Sequence, residues 1–235
     1  MHFRGSAYLE ILPARRRRVF SKTPVFTITI MHGQEHWNQV YQTKGAEDVS
    51  WYQRRPDLSL ALIAASGVGK DAGILDVGGG ASTLIDFLLN DGYTQLAVLD
   101  VSGAALSLAR RRLGDRAARV EWFEADMTSF EPPHLFGLWH DRAVFHFLTA
   151  AEDRHRYVST LRRTLQPGGA VVISTFAPDG PPKCSGLDVV RYDYKSMRAE
   201  LGVDFSLCEV RRETHVTPWG AEQRFMHFRF QRQST

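Results

Sequence analysis

A three-glycine turn between a strand and a helix constrains this chain more than any other stretch of its sequence. Ile74–Val77 is a short apolar run of the kind that forms a buried strand, and Gly78–Gly80 follows it at once. Apolar residues then recur at helical spacing from Leu84 to Leu89. Glycine permits positive φ and a close ligand approach, while a helix N-terminus favours an anionic group. This order is typical of a nucleotide site at the carboxyl end of a strand.

The acid at the end of the strand separates two kinds of nucleotide site. A dinucleotide turn has the form G-x-G-x-x-G, and Thr83 stands where its third glycine belongs. Asp76, two residues before Gly78, belongs to a different signature. The segment resembles motif I of the class I S-adenosylmethionine-dependent methyltransferases, D/E-x-G-x-G-x-G, with Gly80 matching and Ser82 replacing the last glycine. By itself the stretch leaves a methyltransferase, a dinucleotide enzyme and a purely structural turn open.

Length and composition place the chain among ordinary globular proteins. Its 235 residues suffice for one sizeable α/β domain, and 43% hydrophobic with 23% charged residues is usual for that class. No stretch approaches the roughly 18–20 apolar residues of a membrane span. The two cysteines, Cys184 and Cys208, form neither a disulfide framework nor a metal-ligand spacing. We therefore expect no metal site, no membrane partner and a reducing, cytoplasmic location.

The first thirty residues differ from the rest of the chain. Residues 1–30 contain six of the 29 Lys and Arg residues but one of the 26 acids, so the remainder has a formal charge of −2. We divide the chain into a basic leader, residues 1–30, and a single domain, residues 31–235. The leader is interpreted as a non-native extension, an organelle transit peptide, or a polybasic tether through Arg15–Arg18, with a plain disordered tail as the remaining alternative. The domain itself has no broad basic face for nucleic acid.

Two further strand ends carry acids that suit a nucleotide ligand. Asp100 ends the second predicted strand, where an acid can accept hydrogen bonds from ribose hydroxyls. Asp126 and Met127 follow the third predicted strand. In the family that the chain resembles, an acid here accepts from the adenine amino group and the next residue packs on the ring. A helix or strand-end cap is the alternative for each acid, and Ser102 can cap the next helix while Asp100 binds the ligand.

An aromatic pair precedes the glycine turn. Trp37 and Tyr41 are four residues apart and so share one helix face. The segment is similar to a W-x-x-x-Y element that lies near the methionine end of the cofactor in small methyltransferases, although packing of a helix by its aromatics is the alternative. The resemblance as a whole implies S-adenosylmethionine as cofactor and the following binding residues: Trp37, Tyr41, Asp76, Gly78, Gly79, Gly80, Asp100, Val101, Asp126 and Met127.

The candidate catalytic residues are two histidines around the fourth predicted strand. This architecture places reacting groups at the carboxyl end of that strand. His140 lies at this end, and His146 matches a histidine that the family often has after it, although Gly137 departs from the family's acid. A general base is needed only if the acceptor is protonated at neutral pH. A packed or capping role is the alternative for both histidines.

The resemblance implies a three-layer α/β sandwich with a Rossmann-like, mostly parallel seven-stranded sheet that ends in an antiparallel hairpin. It also implies an S-adenosylmethionine-dependent methyltransferase (EC 2.1.1.-). We expect a small-molecule acceptor first and a protein side chain second. Nucleic acid is disfavoured because no asparagine-proline-proline-aromatic motif follows the fourth strand. The alternatives are an NAD-dependent oxidoreductase and a non-catalytic S-adenosylmethionine-binding domain, and the oligomeric state stays open.

Overall fold

The structure is a computed structural model that describes residues 1–2 and 25–234, with side chains described at residues 1–2 and from residue 33 onward. Most of the predicted leader, including the Arg15–Arg18 run, lies outside the described residues. Its interpretations therefore stay open. Helix α1 (Val25–Thr43) begins upstream of the boundary that we placed after residue 30.

Within the described residues, seven strands form one sheet in the order β3-β2-β1-β4-β5-β9-β8. The first five pair in parallel, whereas β9 is antiparallel to both β5 and β8. The strands are β1 (Ile74–Val77), β2 (Leu96–Asp100), β3 (Val120–Glu124), β4 (Phe136–Arg142), β5 (Leu165–Phe176), β8 (Phe205–Val216) and β9 (Glu222–Arg232), with a separate hairpin of β6 (Lys183–Cys184) and β7 (Leu187–Asp188). The predicted sheet and its closing hairpin are confirmed.

Helices cover both faces of the sheet. Successive residues of a buried strand point to opposite faces, so a continuous apolar strand makes both faces apolar. Ile74 belongs to an apolar cluster shared with α2, α3 and α4, while Leu75 and Val77 belong to one shared with α5 and α6. The helices are α2 (Asp57–Ala65), α3 (Leu84–Asn90), α4 (Gly103–Leu113), α5 (Ala151–Thr164) and α6 (Tyr194–Leu201). This arrangement is the predicted three-layer sandwich. No helix in the described part of the chain is both long and apolar enough to cross a bilayer.

The strand order positions the functional site. From β1 the chain runs outward through β2 and β3, then returns to place β4 on the other side of β1. The helical connections after β1 and β4 therefore diverge, which leaves a crevice at the carboxyl ends of these two strands. Asp76 of β1 pairs in register with His140 of β4, so their side chains share the sheet face covered by α2 and α3.

Candidate active site

The glycine turn after β1 excludes side chains. Gly78 has a φ of +65°, and a Cβ built there would lie 2.0 Å from Val144 Cγ2. Gly80 has a φ of +35°, and its Cβ would lie 2.6 Å from Asp100 Oδ2. The Gly78 amide also donates to the Leu99 carbonyl at 2.6 Å. The turn thus needs glycine for both its conformation and its close contacts.

A cavity of about 710 Å³, which opens to solvent, lies against this turn. The residues that line it are Trp37, Tyr41, Trp51, Val77, Gly78, Leu99, Asp100, Val101, Ala125, Met127, Arg142, Ala143, Val144, Phe147 and Cys184. The structure therefore brings most of the predicted cofactor residues together at one place.

A second cavity, of about 560 Å³, adjoins the first and shares Tyr41, Gly78 and Arg142 with it. Asp76 and Gly79 line this second space, together with Ser82 and other residues of the glycine turn. The two cavities form a path that runs from the carboxyl ends of β2 and β3 across the glycine turn. A long ligand with an adenosine at one end and a polar tail at the other fits a path of this kind.

Helix α1 covers the first cavity. Asn38 Oδ1 accepts a hydrogen bond from the Ser102 hydroxyl at 2.8 Å, which fastens α1 to the N-terminus of α4. Trp37 packs edge-to-face against Trp51 and Phe147, with ring centroids 5.7 and 5.1 Å apart. Ser102 also caps α4, as the sequence predicted. Aromatic surfaces of this kind form an apolar roof that keeps water from a ligand beneath it.

Tyr41 lies on the same side of α1 and is half-buried. Its hydroxyl accepts a hydrogen bond from Trp51 Nε1 at 3.2 Å. Burial raises the pKa of Tyr41, and the charge of Asp100 raises it further, so the phenol stays neutral. Tyr41 therefore contributes a neutral hydroxyl to both cavities and cannot supply a phenolate base.

Asp100 is the acid of the first cavity. Burial raises its pKa to about 7, and the charges of Asp76 and Glu124 add to this rise, whereas amide hydrogen bonds from Ser102 and Gly80 oppose it. The Ser102 amide donates to Oδ1 at 2.8 Å. The carboxylate is therefore poised to change its charge near neutral pH, and an additional hydrogen-bond donor would favour the ionised form.

Asp76 is held by a hydrogen-bonded chain. His140 Nδ1 lies 2.7 Å from Asp76 Oδ1, and His140 Nε2 lies 2.9 Å from the Ser59 hydroxyl of α2. The other oxygen, Oδ2, is buried against Gly79 and has no hydrogen-bond partner in the described part of the chain. A buried carboxylate oxygen without a partner is costly, so this atom is the one most in need of a donor from a ligand.

The structure gives His140 a positioning role. Both of its ring nitrogens are already engaged, one with Asp76 and one with Ser59, so neither is free to take a proton from an acceptor. The sequence named this residue as a candidate base because it stands at the end of a strand. Its cross-strand pairing with Asp76 could not be read from local sequence.

His146 lies apart from both cavities. It is fully buried in a 3-10 helix after β4, packed between Phe147 and Phe176 with ring centroids 4.5 and 4.7 Å away. Burial lowers its pKa to about 3, and the charge of Arg142 lowers it further. A histidine so weakly basic and so enclosed stays neutral and packed, which is the alternative that the sequence left open.

The two residues predicted to bind the adenine, Asp126 and Met127, differ in whether they line the first cavity. Met127 lines the first cavity, as does Ala125. Asp126 is not among the lining residues of this cavity. Its Oδ1 instead accepts hydrogen bonds from the Thr128 amide and hydroxyl, each at 2.7 Å. The structure thus shows the turn-capping alternative for this oxygen of Asp126.

A buried turn after β4 supports the wall of the first cavity. Asp141 accepts from the Tyr157 hydroxyl at 2.6 Å and from the amides of Val144 and Phe145 at 3.0 and 3.1 Å. These bonds hold Ala143 at a φ of +67°, an unusual conformation for a residue with a side chain. Burial raises the pKa of Asp141 to about 6 against the lowering effect of its hydrogen bonds.

Among the lining residues that sequence reasoning missed, two carry a charged or a thiol side chain. Arg142 ends β4 and lines both cavities. The sequence signal that identifies it is its charge together with its place two positions after His140, which puts both side chains on the same face of the strand. Cys184 is buried in the β6–β7 hairpin and lines the first cavity. Burial raises the pKa of this thiol to about 11, so it is protonated and a poor nucleophile.

Sequence comparison supports one of the open alternatives. Residues 74–169 match the family described as a methyltransferase domain. The chain is 25% identical over 189 residues to malonyl-[acyl-carrier protein] O-methyltransferase of Paenibacillus sp. (strain JDR-2), a match that covers 69% of this chain and 67% of that protein. It is 27% identical over 184 residues to nodulation protein S of Rhizobium tropici, covering 74% and 76%.

Comparison of structures shows the same fold in methyltransferases. The N-methyltransferase NodS from Bradyrhizobium japonicum WM9, solved in complex with S-adenosylhomocysteine, superposes with a TM-score of 0.64 at 18% identity. That match covers 83% of this chain and 97% of NodS. A 1,6-didemethyltoxoflavin N1-methyltransferase from Burkholderia thailandensis has a TM-score of 0.61 at 17% identity, covering 88% and 87%. These likenesses show that the chain shares the fold of those two enzymes.

Proposed function

We propose that this chain is a class I S-adenosylmethionine-dependent methyltransferase and that its site methylates a small organic molecule. The cofactor of this family supplies an activated methyl group on a sulfonium, which a nucleophile attacks in line while the neutral thioether leaves. The observation that carries the acceptor assignment is the part of the first cavity lined by Trp51, Phe147 and Cys184, which lies outside the cofactor residues and against which Trp37 of α1 packs. A covered, apolar space suits a small molecule better than an extended polymer chain.

The residues fit this cofactor. Gly78 and Gly79 form a cradle that a Cβ would fill, and Asp76 Oδ2 offers an unpartnered acceptor beside it. Asp100 accepts from the ribose hydroxyls in this assignment, and Met127 packs beside the adenine with Val101. We assign Asp126 Oδ2, the oxygen that does not bond to Thr128, as the acceptor for the adenine amino group. Trp37 and Tyr41 close the site from α1.

Catalysis in this site rests on positioning. The apolar roof excludes water, and the strand ends hold the reacting groups in line, which can account for several kcal/mol of a barrier. The described lining residues offer no free histidine, because His140 is engaged and His146 lies apart. We therefore propose an acceptor whose attacking atom already has a free lone pair at neutral pH.

Thermal unfolding with S-adenosylhomocysteine tests the cofactor site. At about 100 times its Kd this ligand stabilises the folded state by about 2.7 kcal/mol, a rise in Tm of roughly 5–11 °C for a chain of this size. Asp100→Ala should remove most of this rise because the ribose loses its acceptor. Asp115→Ala, at an exposed acid in the 3-10 helix after α4, is the matched control and should keep it. A rise with NAD in place of S-adenosylhomocysteine would contradict the assignment.

The same ligand should bind less tightly at acid pH. Asp100 must be ionised to accept from two hydroxyls, and burial raises its pKa to about 7. Protons therefore compete with the ligand as the pH falls through 7, so affinity is full above this value and declines below it. Titration calorimetry at pH 6 and pH 8 measures the change. Asp100→Asn should bind more weakly and lose the pH dependence, and an unchanged dependence would assign it to another group.

A fractionated methyl-transfer assay tests the acceptor class. S-adenosylmethionine with a labelled methyl group is incubated with the enzyme and a cell extract that has been separated into small-molecule, protein and nucleic-acid fractions. We expect label in the small-molecule fraction, and none when Asp100→Ala replaces the enzyme. Transfer to the protein fraction alone would contradict the small-molecule proposal and favour a protein side chain.

A further inference from the structure

Arg142 stands where the two cavities meet. It follows His140 by two residues on β4, so its side chain leaves the same sheet face as His140 and Asp76. It lines both the first cavity, which holds Asp100, and the second, which holds Asp76. Apart from His140, whose nitrogens are engaged, Arg142 is the basic residue among the described lining residues of the two cavities.

The hydrogen-bonding capacity of this arginine is largely unused. Its side chain is 10% exposed, and Nη1 donates to the Trp51 carbonyl at 2.9 Å. Nε and Nη2 are buried and have no hydrogen-bond partner among the residues that the structure describes. Glu213 Oε2 is 4.0 Å from Nη2, too far for a hydrogen bond. Glu213 instead accepts from Gln53 and His227, at 3.0 Å each.

The guanidinium keeps its charge in this setting. Burial lowers the pKa of Arg142 to about 10, and the charge of Glu213 opposes the shift, so the group is protonated at neutral pH. Burial of a cation with two donors that lack acceptors raises the free energy of the folded state, and a bound anion would offset this cost. Planar guanidinium donors match the two oxygens of a carboxylate.

The methionine tail of the cofactor is a zwitterion, with one ammonium and one carboxylate. Among the described lining residues, Asp76 has an oxygen, Oδ2, without a donor, and Arg142 has two nitrogens, Nε and Nη2, without an acceptor. We propose that Arg142 binds the carboxylate of the methionine tail while Asp76 receives its ammonium. This inference rests on the cofactor assignment and adds to it a residue that sets which adenosyl compounds bind.

A purely structural role for Arg142 makes a different prediction. Its guanidinium carbon lies 4.7 Å from the centroid of Phe225, and Nη1 holds the Trp51 carbonyl. If these contacts were its whole purpose, its loss would weaken all adenosyl ligands alike. A carboxylate contact instead weakens only the ligands that carry a carboxylate, so the choice of ligand separates the two roles.

Titration calorimetry with three ligands makes this separation. S-adenosylhomocysteine has the whole tail, its decarboxylated analogue lacks only the carboxylate, and 5′-methylthioadenosine lacks the amino-acid tail. We expect the wild-type protein to prefer S-adenosylhomocysteine to the decarboxylated analogue by about 10- to 100-fold, as for a hydrogen bond between charged groups. Arg142→Met should bind these two ligands with similar affinity and bind 5′-methylthioadenosine as the wild type does.

Two further variants complete the experiment. Arg142→Gln is neutral but can still donate to the Trp51 carbonyl, so it carries the test if Arg142→Met does not fold. Arg229→Met removes an arginine that is 17% exposed and paired with Glu209 on the sheet, and it should keep the wild-type preference. A wild-type preference retained in the folded Arg142 variant, or no preference in the wild type, would overturn the inference. Absence of any S-adenosylhomocysteine binding by the wild type would instead overturn the cofactor site itself.

Discussion

Asp141→Ala is expected to lower the free energy of unfolding by about 3 kcal/mol or more, a large part of the 5–15 kcal/mol of a typical domain. The carboxylate accepts from the Tyr157 hydroxyl and the amides of Val144 and Phe145, and alanine leaves these donors without a partner. Trp139 Nε1 donates to the same tyrosine hydroxyl at 2.8 Å, so the loss extends to a second buried side chain. Urea unfolding followed by circular dichroism measures the change.

Asp141→Asn should cost less than Asp141→Ala. The amide keeps one acceptor oxygen for the backbone donors, and it removes a charge that burial disfavours, as the raised pKa of Asp141 indicates. Asp115→Ala, at an exposed acid, serves as the control and should change the stability by about 0.5 kcal/mol or less. Equal stability of Asp141→Ala and the control would show that these buried hydrogen bonds do not support the turn.

Gly78→Ala is expected to reduce affinity for S-adenosylhomocysteine by about 10- to 100-fold and to lower stability by about 2–4 kcal/mol. The new methyl group would lie 2.0 Å from Val144 Cγ2, so Val144 must move, and Val144 lines the first cavity. The φ of +65° adds strain that is independent of this overlap. Titration calorimetry and urea unfolding measure the two effects separately.

Gly92→Ala is the matched control for strain. Gly92 has a φ of +85° but nothing within 4 Å of a built Cβ, so this variant should lose about 1 kcal/mol of stability and no ligand affinity. Adding Val144→Ala to Gly78→Ala should restore part of the lost stability because it removes the overlapping atoms. Wild-type affinity in Gly78→Ala would show that the turn does not approach the cofactor.

The sequence was sufficient for the fold because the relevant signals are local. The strand, glycine turn and helix from Ile74 to Asn90 are marked by residue type and spacing, and the structure places β1 and α3 within these bounds. An exception is the stretch Pro167-Gly168-Gly169, whose residue types are typical of a turn but which lies within β5. Leu165 pairs with Phe136 and Ala170 with Leu138, so residues 166–169 bulge within β5, a pairing that only the partner strand defines.

The candidate site was predictable where it depends on the carboxyl ends of strands. Asp76, Asp100 and Met127 end or follow parallel strands, and such ends meet at one edge of a sheet whatever the details of packing. Their convergence beside the glycine turn therefore follows from strand order. Asp126 shows the limit of this reasoning, because a neighbouring threonine engages one of its oxygens.

The sequence by itself determined the layered sheet, the glycine turn and the edge at which ligands bind, since these follow from local periodicity and backbone conformation. Only the tertiary structure decided what the polar residues of β4 do. His140, Asp141 and Arg142 are consecutive and look equally suited to catalysis, yet one holds Asp76, one holds a turn and one faces both cavities. The physical reason is that a side chain's role depends on its burial and its partners, and Asp76, Tyr157 and the cavity walls reach β4 from distant parts of the chain.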